Sequence, residues 1–239
     1  MDLDNLEIPK ITTSEISMEP FAHFVKKDFF STDFWEHISE ELTLIEQTKP
    51  DKKFESDFGV KAEWKTFPQQ FKYVNAMLDQ LFSAPFIEEL KTAFGIDHDI
   101  SIFPDRTFDG GGFVISPPGA YLAYHADFNF SSEVDAYRIL NILVYANNGY
   151  TGDKGGQLHL LDPDSKTVEK IVEPFDNTLL AFLTDDIAFH GVSRNKSDFK
   201  RKSFNLYYYA SRPVSQKQST VPHKTIWLDF GNSDHTHGM

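Results

Sequence analysis

The chain of 239 residues contains no cysteine. That removes disulfides, thiolate metal ligands and cysteine nucleophiles together, and leaves any metal to nitrogen and oxygen donors. Basic residues are scarce: 23 Lys and Arg stand against 36 Asp and Glu, a formal net charge of -13. Such a balance offers no footprint for a phosphate backbone or an anionic membrane surface, so neither nucleic acid nor a membrane is expected as a partner. Long apolar runs are missing too. No stretch approaches the ~20 residues that cross a bilayer, and the acidic start Met1-Asp2-Leu3-Asp4 lacks the basic and apolar regions of a secretion signal. The expectation is a soluble, cytoplasmic protein, and no pattern in the sequence marks a particular oligomeric state.

Core material is plentiful, with 40% hydrophobic and 15% aromatic residues, enough for one domain or a core with a helical lobe. Residues 1–20 mix Pro, Thr, Ser and Glu without a sustained period and read as a flexible arm. From Ser31 onward Phe34, Trp35, Ile38, Leu42 and Ile45 recur at three- and four-residue intervals, which predicts a helix stopped by Pro50. A second helix is expected over 68–82, with Pro68 at its start and Phe71, Val74, Leu78 and Leu81 inward. A third is expected over 85–94, capped by Ser83 and ended by Gly95. Together these make 21–100 a helical supporting region.

Beyond residue 100 the texture changes to short runs rich in β-branched and aromatic residues. Strands are predicted over 113–116, 121–127, 138–145, 157–161, 168–172, 178–183, 188–192 and 202–210. The turn signals between them are Pro117-Pro118-Gly119, Asn147-Asn148-Gly149, Gly155-Gly156 and Asp176-Asn177. This punctuation predicts a double-stranded β-helix, or jelly roll, over 101–213, and its mouth is a natural ligand pocket. The fold class is α+β, with 21–213 as one structural domain and 214–239 as a polar tail. His223, His235 and His237 in that tail need no metal-binding role. Gly110-Gly111-Gly112 is followed by no Lys-Ser/Thr and by a strand, so it reads as a flexible strand entry and not as a phosphate cradle.

Of nine histidines only His125 opens an H-x-D triplet, in Tyr121-Leu122-Ala123-Tyr124-His125-Ala126-Asp127. On a strand, residues two apart face one side, so His125 and Asp127 can reach the same ion, with Tyr121 on that face and Tyr124 on the other. A third ligand is available at His190, 63 positions after Asp127, in Ala188-Phe189-His190-Gly191-Val192. Two imidazoles and one carboxylate on one face of an octahedron leave three positions open, which suits Fe(II) together with dioxygen and a bidentate partner. Alone, the triplet is a weak signal in so acidic a chain, and a buried histidine satisfied by backbone is the ordinary reading of His190. Arg201 shifts the balance. It lies 11 residues after His190 and shares strand parity with Ser203, Asn205 and Tyr207. A guanidinium followed two residues on by a hydroxyl matches a dicarboxylate, against the alternative of a surface Arg in the basic run 200–202.

In order along the chain stand His125-x-Asp127, Arg138-Ile-Leu-Asn141-Ile-Leu-Val-Tyr145-Ala-Asn147, Gly155-Gly156-x-Leu158, Asn177 before an apolar strand, His190-Gly191-Val192, Arg201-x-Ser203, and the aromatic run of Tyr207, Tyr208 and Tyr209. This ordered set resembles the iron(II)/2-oxoglutarate-dependent oxygenase superfamily, and within it the prolyl 4-hydroxylase-like branch. The resemblance implies a dioxygenase that couples the conversion of 2-oxoglutarate to succinate and CO2 to the hydroxylation of a C–H bond. It brings Fe(II), 2-oxoglutarate and O2 as requirements, with ascorbate as a further candidate. It makes His125, Asp127 and His190 the iron ligands and places Arg201 on the cosubstrate's C5 carboxylate, with Tyr145 on the same carboxylate and Ser203, Asn141 and Asn205 around it. Tyr207, Leu143 and Tyr121 are expected near the substrate, and no catalytic side chain is expected beyond the metal ligands. Because Asp127 is present, a halogenase is disfavoured. The branch implies a prolyl residue of a peptide as substrate; a free amino acid or other small metabolite fits the residues equally. A catalytically silent jelly-roll binding protein is the reading from another class, and the intact ligand set beside Arg201 argues against it. The acidic balance mildly favours neutral or basic substrates.

Overall fold

The computed structural model describes residues 3, 8–196 and 198–228. Strand β1 (His23–Lys26) leads into helix α1 (Thr32–Glu46), the hairpin β2 (Lys52–Ser56) and β3 (Gly59–Trp64), and helices α2 (Lys72–Leu81) and α3 (Ala84–Phe94). There follow β4 (Ile102–Pro104), β5 (Gly112–Ser116), β6 (Leu122–Ala126), β7 (Phe130–Ser131), β8 (Ala136–Tyr145), β9 (Leu158–Leu161), β10 (Val168–Val172), β11 (Thr178–Leu183), β12 (His190–Val192), β13 (Arg201–Ala210) and β14 (Ile226–Trp227).

The helices form where the apolar period runs. α1 buries Phe34, Trp35, Ile38, Leu42 and Ile45. α2 starts later than its sequence suggests, because Pro68 lies in a preceding turn closed by Phe71 N–H to the Pro68 carbonyl at 2.9 Å. The buried Glu41 of α1 then caps α2, accepting from Val74 N–H at 2.8 Å and Tyr73 N–H at 3.1 Å. A carboxylate there satisfies donors that the helix cannot pair itself and suits the positive end of its dipole. α3 has the expected ends: Ser83 Oγ accepts from Phe86 N–H at 3.3 Å, and Gly95 exits at φ 66°.

The strands run in the order β1-β11-β8-β13-β5-β3-β6-β12-β9-β10. β3 meets β6 through the single pairing Gly59↔Leu122, where a Cβ on Gly59 would lie 2.7 Å from the Tyr121 carbonyl oxygen. On either side of that junction lie a larger sheet ending in β1 and a smaller one of β6, β12, β9 and β10, the two walls of a double-stranded β-helix. Strand alternation divides the interior. Ile142, Val144, Phe204, Leu206, Leu179 and Ala181 pack with the helices, while Leu143, Tyr145, Leu180 and Phe182 face the smaller sheet. Both faces of the larger sheet are therefore covered, which is why its central strands are nearly continuous apolar runs.

All eight strands expected beyond residue 100 are present within a residue or two. The supporting region holds three strands besides its helices, and the described part of the N-terminal segment lies against α3: Ile11 is buried, its N–H bonds Glu89, and Thr13 Oγ1 reaches the Thr92 carbonyl at 3.4 Å. The tail also takes on structure, since β14 pairs with β6. His235 and His237 lie outside the described residues. Among the described residues, no helix is long and apolar enough to cross a membrane.

Candidate functional site

β6 and β12 are antiparallel neighbours with His125 opposite His190, so the two imidazoles face one side of the smaller sheet, ring centroids 4.4 Å apart. Each Nδ1 lies against a backbone carbonyl two residues earlier, His125 on Ala123 at 2.8 Å and His190 on Ala188 at 2.9 Å. A carbonyl only accepts, so each Nδ1 carries the proton and each Nε2 presents a bare lone pair. Asp127 Oδ1 is 3.5 Å from His125 Nε2 and Oδ2 is 3.7 Å from His190 Nε2, and one ligand atom from each of the three residues lies within 4.8 Å of the others. Cis ligands of an ion bound at about 2.1 Å stand about 3 Å apart, so a small inward movement would bring all three onto one ion.

The electrostatics match that use. Burial opposes ionisation of Asp127, but the Arg138 guanidinium beside it holds its carboxyl well below the usual range. Arg138 Nη2 lies 3.3 Å from Asp127 Oδ2, and Asn141 Nδ2 donates to the same oxygen at 2.8 Å. Burial and then the neighbouring His125 push His190 down to about 4, so it stays neutral and able to donate its lone pair.

The same cavity, of about 350 Å³, is lined by His125, Asp127, His190 and Arg201. Arg201 is buried on β13; its Nε donates to the Gly156 carbonyl at 3.0 Å and its Nη1 to Ser203 Oγ at 3.3 Å. Gly156 must be glycine, since at φ 76° a Cβ would lie 2.7 Å from Asn195 Oδ1 and 2.8 Å from Phe199. Arg201 Nη2 has no partner, and neither has the buried hydroxyl of Tyr145, whose ring centroid is 4.9 Å from the guanidinium carbon. Burial pushes the Tyr145 phenol up, the nearby Arg201 only partly offsetting it, so it remains a donor. Two buried, unsatisfied donors at one spot cost about 1–3 kcal/mol each, and a carboxylate would satisfy both. The residues therefore fit a dicarboxylate as well as a divalent ion.

The other expected residues fall in two groups. Leu143, Asn205, Tyr207 and Tyr121 line the cavity; Tyr207 Oη donates to the Gly110 carbonyl at 2.9 Å and Tyr121 Oη to that of Asp57 at 2.7 Å. Tyr124 lies on the opposite face, bonded to His159 Nδ1 at 2.8 Å. Asn141 lines the cavity too, but its amide and the Ser203 hydroxyl are both engaged by protein partners. The Ser203 hydroxyl donates to Asn205 Oδ1 at 2.8 Å, so it braces Arg201 instead of offering a free donor. The Asn141 amide sits between Asp127 and Arg138, whose Nε donates to Asn141 Oδ1 at 2.8 Å, which places it at the candidate metal-binding carboxylate.

Sequence reasoning missed Arg138 and Trp227. Arg138 lines the cavity with its guanidinium carbon 3.5 Å from the Tyr207 ring centroid and 4.9 Å from that of Phe128. It escapes simple alternation because the β8–β13 register slips by one residue: Tyr208 pairs with Leu140 but Tyr209 with Arg138, which turns Arg138 onto the face of Asn141. Trp227 on β14 sits opposite His125 with ring centroids 4.8 Å apart. Its signal in the sequence is the β-favouring run Thr225-Ile226-Trp227-Leu228. Charge is also local: Lys52, Lys61, Arg138 and Arg201 line the cavity against Glu63, Asp109 and Asp127. The whole-chain negative balance does not extend to this cavity, so it gives no reason to expect a basic substrate.

Residues 111–209 match the family model of the 2OG-Fe(II) oxygenase superfamily, and the chain matches none of the curated proteins. In three dimensions it is similar to a Pseudomonas putida prolyl-4-hydroxylase, with TM-score 0.56 and 21% identity over 80% of this chain and 92% of that one. It is similar also to a prolyl hydroxylase from Trichoplax adhaerens, solved in complex with a hypoxia inducible factor oxygen degradation domain peptide fragment, with TM-score 0.58 and 17% identity over 78% and 83%. A third is an oxidoreductase of the 2OG-Fe(II) oxygenase family from Burkholderia pseudomallei, with TM-score 0.51 and 12% identity over 83% and 88%. At these identities the likeness is one of fold, the prolyl 4-hydroxylase-like double-stranded β-helix. The family match over residues 111–209 runs through every strand that carries a candidate ligand, β6, β8, β12 and β13.

Proposed function

We propose that this chain is a dioxygenase that holds Fe(II) on His125, Asp127 and His190, binds 2-oxoglutarate through Arg201 and Tyr145, and hydroxylates a C–H bond of its substrate with release of succinate and CO2. The observation that carries the proposal is one cavity containing both a pair of bare Nε2 lone pairs beside an ionised carboxylate and two buried donors without acceptors. Iron, 2-oxoglutarate and dioxygen supply the oxidising chemistry when bound. The chain's own residues set its direction. The Ala123 and Ala188 carbonyls fix both tautomers, Arg138 and Asn141 keep Asp127 ionised and aimed, and Arg201 orients the cosubstrate from the far end. Apolar side chains along the wall, Leu143, Leu158, Phe182 and Val192, keep water out.

A prolyl residue of a peptide is the first substrate reading, supported by the fold shared with prolyl hydroxylases. A free amino acid or other small metabolite is the second, favoured by a cavity of about 350 Å³ with Trp227 in its wall beside His125, a size that suits a small molecule. Ascorbate belongs to the proposal as a supporting reductant, tested by omitting it. The deciding experiment is a succinate-release screen over prolyl peptides, free amino acids and small metabolites. One class should raise succinate above the substrate-free rate and gain one oxygen in mass, with both effects lost in His190→Ala; no response from any class would count against a hydroxylase.

A further inference from the structure

The described part of the C-terminal segment crosses the ligand-bearing part of the molecule and reaches β14. Asn129, two residues beyond Asp127 and buried, donates to the carbonyls of Ser219 at 2.9 Å and Val221 at 3.0 Å and accepts from His223 N–H at 2.8 Å. His223 Nε2 lies 2.9 Å from Asp186 Oδ1, on the loop that leads into β12. Held at these points, the chain adds β14 to the free edge of β6: Trp227 pairs opposite His125, and Leu228 N–H bonds the Tyr124 carbonyl at 2.9 Å. Side chains directly opposite on antiparallel strands share a face. The indole accordingly covers one side of the His125 imidazole, tilted by 35°, while the His190 ring covers another.

The second half of the arrangement comes from the β2–β3 hairpin. Phe58, at its turn, is 42% exposed. Its ring lies nearly parallel to the indole, 17° at 4.3 Å. The turn is itself tied to the start of β6, with Tyr121 Oη on the Asp57 carbonyl at 2.7 Å and Ala123 N–H on the Phe58 carbonyl at 2.9 Å. Three segments distant in sequence therefore meet at one aromatic stack beside a candidate iron ligand.

We infer that Trp227, in the cavity wall, is a positioning residue for His125 and that Phe58, stacked on the outer indole, braces Trp227 in that role. This inference rests on the reading of His125 as an iron ligand. An aromatic pair of this geometry contributes about 0.5–1.5 kcal/mol, which is about a two- to twelvefold change in how firmly the indole is held against the His125 ring.

The test is the rate at which 2,2′-bipyridine, a flat chelator, strips Fe(II) from the anaerobic full-length protein with 2-oxoglutarate bound. Phe58→Ala should speed stripping by about that factor and Trp227→Ala by at least as much, and the double variant should be no faster than Trp227→Ala, because Phe58 acts only through the indole. Trp227→Phe should restore a rate near wild type. If Trp227→Ala does not fold, the exposed turn variant Phe58→Ala carries the comparison alone. Stripping rates within twofold of wild type in the folded variants, or effects that multiply in the double variant, would overturn the inference. A wild-type protein that forms no coloured Fe(II)–2-oxoglutarate complex would instead overturn the iron-site reading on which it rests.

Discussion

Replacing Arg201 by Met should separate stability from binding. In the free protein the change removes two hydrogen bonds, Nε to the Gly156 carbonyl and Nη1 to Ser203 Oγ, worth about 1.5–3 kcal/mol each for a charged donor. It also relieves a buried charge whose Nη2 has no acceptor, a desolvation penalty of several kcal/mol. The two contributions are opposed and of similar size, so unfolding free energy should move by no more than about 2 kcal/mol, or about 4–8 °C in Tm for a chain of this length. Binding has no such compensation. A carboxylate that loses its buried guanidinium partner forfeits about 3–5 kcal/mol, a fall in 2-oxoglutarate affinity of about 150- to 5,000-fold. Tyr145→Phe removes one neutral donor, about 0.5–1.5 kcal/mol, and should weaken affinity about 2- to 12-fold. The assay is calorimetric titration of 2-oxoglutarate into the anaerobic Fe(II)-loaded protein, with Tm measured on the metal-free form. Affinity within tenfold of wild type in Arg201→Met, or a stability loss well beyond 2 kcal/mol with binding intact, would show that Arg201 is a structural residue.

Asn141→Ala leaves Asp127 with Arg138 but without its amide donor, and should lower Fe(II) affinity about 10- to 100-fold, read by competition with a fluorescent chelator; unchanged affinity would remove Asn141 from the metal site. Burial lowers the pKa of His23 and of His159, so both are neutral in the fold. The unfolded chain binds the extra protons first, so this stabilisation is complete above about 6.5 and is lost as the pH falls below that value. Metal-free protein should therefore lose Tm between pH 7 and pH 5, with a shallower slope in His23→Gln; identical slopes would exclude His23 as a contributor.

Much of the site was legible because strand alternation is a reliable rule where both faces of a sheet are buried. Parity alone groups Asn141, Leu143 and Tyr145, and Arg201, Ser203, Asn205 and Tyr207, on the inner face, where they lie. Its failures have local causes. Arg138 sits beyond a one-residue slip that parity cannot register. β2 and β3 mix Lys and Glu with few apolar residues, and their turn Asp57-Phe58 lacks glycine, so neither period nor turn chemistry announces a hairpin. β1 and β14 have four and two residues and exist through pairing with β11 and β6, partners far away in sequence. Pro68 resembles a helix start, but the donors of α2 are capped by Glu41 from another helix, a tertiary contact with no local signal.

The most direct test of the account is the visible absorption that appears when Fe(II) and then 2-oxoglutarate are added to the protein without oxygen. Wild type should develop a charge-transfer band that saturates at one iron and one 2-oxoglutarate per chain, and His190→Ala, with its Tm retained, should develop none. A colourless wild-type mixture, or a band that survives in His190→Ala, would contradict the convergence of His125, Asp127 and His190 on a single ferrous ion.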